Sequence, residues 1–170
     1  MRGSDTVSRR SDPVLRSVRP EDLPRLWTLD RLCFEPGIAY SRREIRRFLD
    51  LPGAEGVLAE TGGELAGFSL GYPDAGDVAR VVTLDVHPAF RRQRLGRRLL
   101  RELLTRLAAA GATRALLEVD VRNSGAIEFY RREGFQETGR LPSYYGRGLD
   151  AFEMTKNLSL GGSGDRKVPR

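Results

Sequence analysis

The stretch from Val82 to Leu104 constrains this chain more than any other. Its first part alternates with a period of two, placing Leu84 and Val86 on one side, as a strand requires. The alternation breaks at Pro88. From Leu95 onward, Leu95, Leu99, Leu103 and Leu107, joined by Leu100, Leu104 and Ala108, recur at steps that only a helix gathers on one face. The predicted unit is therefore strand, arginine-rich turn, helix. Between the two elements lie Arg91, Arg92, Gln93, Arg94, Leu95, Gly96 and Arg97. A helix start exposes backbone N–H groups that have no partner within the helix, and here they meet several guanidinium groups and one residue without a side chain. Such a turn suits a diphosphate, which would gain backbone hydrogen bonds, the positive end of the helix dipole and bidentate arginine contacts together. The plainer alternative for the same residues is a solvated helix start.

The rest of the chain reads as short elements around this unit. Met1 to Asp12 is polar and aperiodic, a loose arm. Val14 to Val18 suits a short strand. Arg19-Pro20-Glu21-Asp22 is a helix entry, with proline presetting the backbone and acids in the first turn. That helix turns Leu23, Leu26, Trp27, Leu29 or Asp30, Cys33 and Phe34 toward a core, and Pro36-Gly37 stops it. Ser41 to Glu44 has the form of a capping box for a second helix with Ile45, Phe48 and Leu49 on its apolar face. Two strands, Gly56 to Thr61 and Glu64 to Tyr72, flank Gly62-Gly63, a strong hairpin signal. The central strand spans Ala79 to Val86. After the long helix, Arg114 to Val121 reads as a buried strand, with Leu116, Leu117 and Val119 inside. Asn123 or Ser124 caps a short helix that closes at Gly134, and Phe135 to Thr138 and Ala151 to Leu158 are closing strands. Ser159 to Arg170 is Gly/Ser-rich, then charged, and is expected to be disordered. The order is β-α-α-β-β-β-α-β-α-β-β, a single mixed α/β domain from Pro13 to Leu158 with a central sheet flanked by helices.

Composition narrows the chemistry. A chain of 170 residues supports one domain with a real core. No run reaches the length of a membrane span and no apolar signal region opens the chain, so a cytoplasmic location is expected. Cys33 is the only cysteine and His87 the only histidine, which removes an internal disulfide, a Cys/His metal cluster and most Ser-His-Asp or Cys-His catalysis. Cys33 reads as core and His87, in a turn before Pro88, as structural. The net charge of +6 raises nucleic acid as a partner, yet no aromatic-interleaved basic ribbon accompanies it, and among the basic residues only Lys156 and Lys167 are lysine. Neither lysine stands in the Gly-Lys-Ser/Thr of a phosphate-binding loop, and GxGxxG does not occur. Nucleic acid is therefore not the expected partner.

Two segments carry a family resemblance. Arg91 to Gly96 is similar to the Arg/Gln-x-x-Gly-x-Gly/Ala motif of the GNAT acetyltransferases, with Arg91 and Gly96 in place and Arg94 where the family usually has glycine. Glu118 to Phe135 resembles the C-terminal half of the same fold, where Asn-x-x-Ala-x-x-x-Tyr-x-x-x-Gly-Phe follows the fifth strand. Asn123, Ala126, Tyr130, Gly134 and Phe135 fill that pattern. The spacing of Glu118 in its Leu-Glu-Val run before Tyr130 is that of the branch that acetylates ribosomal-protein N-termini. Ser143-Tyr144-Tyr145-Gly146, ahead of Asp150-Ala151, resembles that branch's tyrosine loop and closing strand.

The resemblance implies acetyl-coenzyme A as co-substrate, no metal, and a protein N-terminus or peptide, such as that of a ribosomal protein, as acceptor. Arg91, Arg92, Gln93, Arg94, Leu95, Gly96 and Arg97 would hold the pyrophosphate, while Leu84, Val86, Asn123 and Tyr130 would line the pantetheine arm. An α-amine titrates near pH ~8, so much of it is protonated at neutrality and needs a base before it can attack. Glu118 is implied as that base, directly or through water, and Tyr130 as the acid that protonates the leaving sulfur. A backbone N–H, most plausibly that of Val86, would meet the oxyanion. Tyr40, Glu118, Tyr144 and Tyr145 would contact the acceptor. Each assignment has a structural alternative: an arginine partner for Glu118, plain ring packing for Tyr130, a surface patch for Tyr144 and Tyr145. A lysine side chain or small amine as acceptor, or a non-catalytic acyl-coenzyme A or RNA-binding module, are the rival readings. The oligomeric state stays open.

Overall fold

The computed structural model describes residues 11–158; the arm up to residue 10 and the tail 159–170 lie outside the described residues. The elements are β1 (Val14–Ser17), α1 (Leu23–Cys33), α2 (Arg42–Leu49), β2 (Glu55–Thr61), β3 (Glu64–Pro73), β4 (Val78–Val86), α3 (Leu95–Ala109), β5 (Arg114–Asp120), α4 (Ser124–Arg132), β6 (Gln136–Leu141) and β7 (Ala151–Asn157). Their order is the expected one. The entry to α1 differs: Pro20–Asp22 forms a 3-10 turn first, because Asp22 accepts the Arg19 N–H (2.8 Å) and two Arg16 N–H groups (2.8 Å each) before the α-helix begins.

Local chemistry explains the boundaries. Ser41 accepts the Glu44 N–H and Glu44 returns to the Ser41 N–H (2.8 Å), the reciprocal cap of α2. Gly62 and Gly63 both take positive φ (55° and 80°), as the tight turn between β2 and β3 demands. Asn123 caps α4 by accepting the Ala126 N–H (3.1 Å).

The strands form one seven-stranded sheet in the order β1-β2-β3-β4-β5-β7-β6. β4 and β5 run parallel, and the other neighbours are antiparallel. The crossover helix α3 buries its leucine face, Leu95, Leu99, Leu100, Leu103, Leu104 and Leu107, against one side of the sheet with Val57, Val81, Ala115, Leu117 and Val119. α1 and α2 cover part of the other side, where Leu23, Leu26, Leu29 and Ile45 pack on Leu58, Phe68 and Leu70. β5 alternates more strictly than expected: Ala115, Leu117 and Val119 are buried while Leu116 is only half-buried, because Leu116 shares its face with Glu118.

Two irregularities in β4 make the site. Leu70 pairs with Thr83 and Gly71 with Val81, so Val82 is an extra residue, a bulge. The bulge resets the alternation: Val81 packs toward α3, Val82 toward α1 and α2, and Leu84 and Val86 again toward α3. Parallel pairing with β5 then stops at Arg80↔Leu116, while β5 stays paired to β7 as far as Asp120↔Ala151. Beyond Arg80 the two parallel strands diverge. The sheet is thereby opened at its centre.

Candidate active site

A cleft of about 1360 Å³ fills this opening. Its lining includes Val82 to Leu84 and Val86 from β4, Glu118 to Asp120 from β5, Tyr130 from α4, residues at the start of α3, and Tyr40 and Tyr145. The lining draws on both faces of the sheet, since Leu95 and Phe129 belong with the α3 core and Cys33 and Tyr40 with the α1–α2 core. Two reactants can therefore enter from opposite sides and meet at the gap.

On the α3 side, the 3-10 turn Pro88–Phe90 leads into the arginine turn. His87 is structural, as expected: its Nδ1 accepts the Ala89 N–H (3.1 Å) and caps that turn. Arg92 and Arg94 both adopt left-handed backbone, φ 61° and 60°. Glycine would take these conformations without the clash a Cβ introduces, so Arg94, at the usual glycine position, retains the turn under strain. Arg94 is the N-cap of α3, yet its side chain caps nothing. The first intrahelical bond is Arg98 N–H to Arg94 C=O (3.1 Å), which leaves the N–H groups of Leu95, Gly96 and Arg97 directed out of the helix end. A Cβ on Gly96 would meet only ordinary contacts, Val86 Cγ2 at 3.5 Å and the Phe129 ring at 3.7 Å. The missing side chain thus leaves space in the cleft rather than relieving a clash. Not every arginine of the turn is equally placed. Arg91 Nε donates to the Val86 carbonyl (3.1 Å), and Arg97 Nε pairs with buried Glu133 (3.1 Å). Gln93 lies outside the lining of the cleft, whereas Arg91, Arg92, Arg94, Leu95, Gly96 and Arg97 belong to it.

The polar edge of β4 is set by the ladder. His87 N–H donates to the Ala66 carbonyl (2.9 Å), and bonded and non-bonded pairs alternate along antiparallel strands. The preceding pair, Val86 with Gly67, is then non-bonded, and Val86 turns its N–H and C=O away from β3 toward the gap. Consistently, the Val86 carbonyl also accepts the Cys33 thiol (3.5 Å).

Tyr130 packs edge-on against Phe129 and Phe135, at centroid distances of 5.3 and 5.7 Å. Burial pushes its phenol well above the ordinary range, with the negative charge of Asp85 adding to the effect, so it holds its proton at neutral pH. Glu118 stands on the other side of the gap. Its carboxylate pairs with the Arg80 guanidinium, whose Nε also donates to Asp74 (3.0 Å). Arg80 is the last residue of β4 to pair with β5, so it reaches Glu118 where the strands part.

Aromatic residues wall this side. The Tyr40 hydroxyl donates to the Val82 carbonyl of the bulge (3.5 Å), and its ring meets Phe48 edge-on at 5.1 Å. Tyr145 lines the cleft and packs edge-on with Tyr144 at 4.9 Å. Tyr144 is not part of the lining; it is 45% exposed, beside Glu118. Burial raises the Tyr144 phenol to about 12. Asn123, expected on the cofactor arm, lines the cleft while its side-chain oxygen is spent on the α4 cap, which leaves its amide N–H groups to face a ligand. Cys33 is half-buried, lining the cleft rather than sealed in the core, and burial pushes its thiol up to about 11. Sequence patterning missed Arg80, the bulge at Val82 and the burial of Asp85, which alternates out of phase with Leu84 and Val86. Asp30 is expected toward the core only as an alternative to Leu29, and both are buried.

A parallel strand pair that opens beside the N-terminus of its crossover helix, with a carboxylate and a buried phenol lining the gap, distinguishes this fold from a closed mixed sheet. The chain belongs to the Acetyltransferase (GNAT) family, which it matches over residues 23–135. It is 38% identical to the N-alpha-acetyltransferase RimI of Mycobacterium tuberculosis over 153 residues, covering 86% of this chain and 94% of that protein. It is 34% identical to the uncharacterized protein ML0378 of Mycobacterium leprae over 84% of this chain, but spans only 40% of that protein's length. The crystal structure of the ribosomal-protein-S18-alanine N-acetyltransferase from Escherichia coli superposes with a TM-score of 0.76 at 25% identity, covering 92% of this chain and 99% of that one. Among the described residues no helix is long and apolar enough to cross a membrane.

Proposed function

We propose that this acetyltransferase moves the acetyl group of acetyl-coenzyme A directly to the α-amine of a protein N-terminus, and that its acceptor is a ribosomal protein. The observation that carries this reading is the gap between β4 and β5, which gathers Glu118 and Tyr130 into one cleft reached from both faces of the sheet. The relatives named above, which include a ribosomal-protein N-acetyltransferase, support the acceptor class.

Acetyl-coenzyme A supplies the activated thioester. The N–H groups of Leu95, Gly96 and Arg97 and the guanidinium groups of Arg91, Arg92 and Arg94 would hold its diphosphate, with the dipole of α3 adding to the attraction. Leu84, Val86 and Asn123 would lie along its arm. Glu118 takes the proton from the acceptor ammonium, directly or through water, while Arg80 holds one of its carboxylate oxygens. The Val86 N–H faces the place where negative charge develops on the reacting carbonyl oxygen. Tyr130 returns a proton to the departing sulfur, a task that suits a phenol kept neutral by burial. Tyr40, Tyr144 and Tyr145 flank the acceptor chain.

The partner is tested in the cell. Deleting the gene in its host and weighing the N-terminal peptides of all ribosomal proteins should show one that loses its acetyl mass, restored by adding back the purified enzyme with acetyl-coenzyme A. An unchanged set would remove the ribosomal partner, and acetyl loss on lysines alone would replace the α-amine by a side chain.

A further inference from the structure

Directly behind the acceptor wall two carboxyl groups are buried together. Asp30, on the last turn of α1, is 0% exposed and Asp85, in β4, is 1% exposed. One oxygen of each is accounted for. Asp30 Oδ2 accepts the Tyr40 N–H (2.7 Å), and Asp85 Oδ1 accepts the Thr83 hydroxyl. The remaining oxygens, Asp30 Oδ1 and Asp85 Oδ2, are sealed from solvent and accept no N–H or O–H among the described residues. The two side chains lie within hydrogen-bond reach of each other. Two carboxylates cannot both stay ionised at such a distance in a water-free site. A single proton between the two orphaned oxygens satisfies both.

We propose that Asp30 and Asp85 are a proton-sharing positioning pair that fixes the Tyr40 wall of the acceptor cleft, and that loss of the shared proton sets an alkaline limit on acceptor binding. The groups facing the pair are few. α1 adds the neutral Cys33 thiol, and β3 adds Phe68, opposite Asp85 in the ladder. From α2, Glu44 adds negative charge; from the loop after β4, Arg91 adds positive charge; Tyr40 and Tyr130 are neutral phenols. Burial raises Asp30 to about 6 and Asp85 well above the ordinary carboxylate range. When the shared proton passes to solvent, the like charges must separate. Asp85 is held in the sheet between Thr83 and the β3 ladder, so the yielding member is Asp30, at the helix end. Asp30 carries the Tyr40 N–H with it. The acceptor wall then loses its anchor, while the α3 end that would hold the co-substrate keeps its own contacts.

The acceptor-binding consequence rests on the function proposed above, but the shared proton itself does not, and the experiment separates them. Infrared difference spectra of the full chain near neutral pH should show a protonated-carboxyl stretch that Asp85→Asn abolishes, because the amide replaces the shared proton with a permanent N–H. A folded wild type without that band overturns the pair. Folded pKa values raised above the unfolded value of about 3.9 mean that stability is greatest at low pH and is lost as pH rises through the folded values. Wild-type Tm should therefore fall relative to that of Asp85→Asn as pH rises from about 4 toward the folded values; parallel curves overturn the pair. Above the pair's ionisation the KM for a peptide acceptor should rise about tenfold per pH unit in the wild type and stay level in Asp85→Asn, with acetyl-coenzyme A affinity unchanged in both. A persistent band with pH-independent KM refutes the positioning role alone. Should Asp85→Asn fail to fold, Asp30→Asn serves in its place, since its amide can donate to Asp85 and its oxygen can accept the Tyr40 N–H.

Discussion

Replacing Arg94 by glycine should stabilise this protein, an outcome opposite to that of most substitutions in a ligand-binding turn. Arg94 sits at φ 60°, ψ 13°, where the Cβ of an L-residue costs about 1–2 kcal/mol. Glycine removes that cost but returns about 0.4–1 kcal/mol through the greater freedom of its unfolded chain. The remaining gain lies between about 0 and 1.6 kcal/mol, with a centre of about 0.8, which for a domain of this size raises Tm by up to about 6 °C. The charge change must be separated from the backbone change, since a cation at a helix N-terminus is itself unfavourable by about 0.3–1 kcal/mol. Arg94→Ala supplies the control: it removes the same guanidinium yet keeps a Cβ in the left-handed region. Thermal unfolding of the wild type and both variants without acetyl-coenzyme A should place Arg94→Gly above Arg94→Ala. Equal melting temperatures would refute the claim of strain at residue 94.

Further substitutions test other parts of the site and the fold. Glu118→Gln should lower turnover by about 10²–10⁴ while leaving acetyl-coenzyme A affinity intact; an unchanged rate would remove Glu118 from the mechanism. Tyr130→Phe should slow the chemical step without weakening co-substrate binding, and normal single-turnover rates would return Tyr130 to a packing role. Cys33→Ala should keep its turnover, because a thiol raised to about 11 is a poor nucleophile at neutral pH; an inactive but folded variant would point to an acyl-enzyme instead. Asp22→Asn should cost about 3–5 kcal/mol, since it strips the buried partner from Arg16, whose guanidinium also bonds Glu60 (2.9 Å). Arginine holds the Asp22 and Glu60 carboxyls below their ordinary range, so this stability is present above about pH 4 and is lost as pH falls. A wild type and Asp22→Asn with the same acid unfolding midpoint would contradict that linkage.

What could be read from the sequence was local or periodic. Gly62-Gly63, Ser41 with Glu44, and the leucine rows of α3 each announce their geometry within a few residues, and the structure keeps all three. Arg94 stands where the family usually has glycine, and its left-handed backbone is one that glycine would favour. Other features depend on how distant segments meet. The bulge at Val82 is a register offset between β3 and β4, and no property of either strand alone reveals it. Arg80 finds Glu118 only because parallel pairing ends beside it. Asp30 shares the core-facing side of its helix and Asp85 lies out of phase with Leu84 and Val86, and their meeting depends on how α1 lies across the sheet. Pairing with arginine had been the structural alternative for Glu118, and that pairing exists. It orients the carboxylate without removing it from the cleft.

The most direct test of the central claim is thiol release from acetyl-coenzyme A in the presence of one peptide prepared in two forms, with its α-amine free and with it blocked. Turnover with the free form that vanishes on blocking is the expected result. Turnover that survives blocking would contradict acetyl transfer to the N-terminal amine.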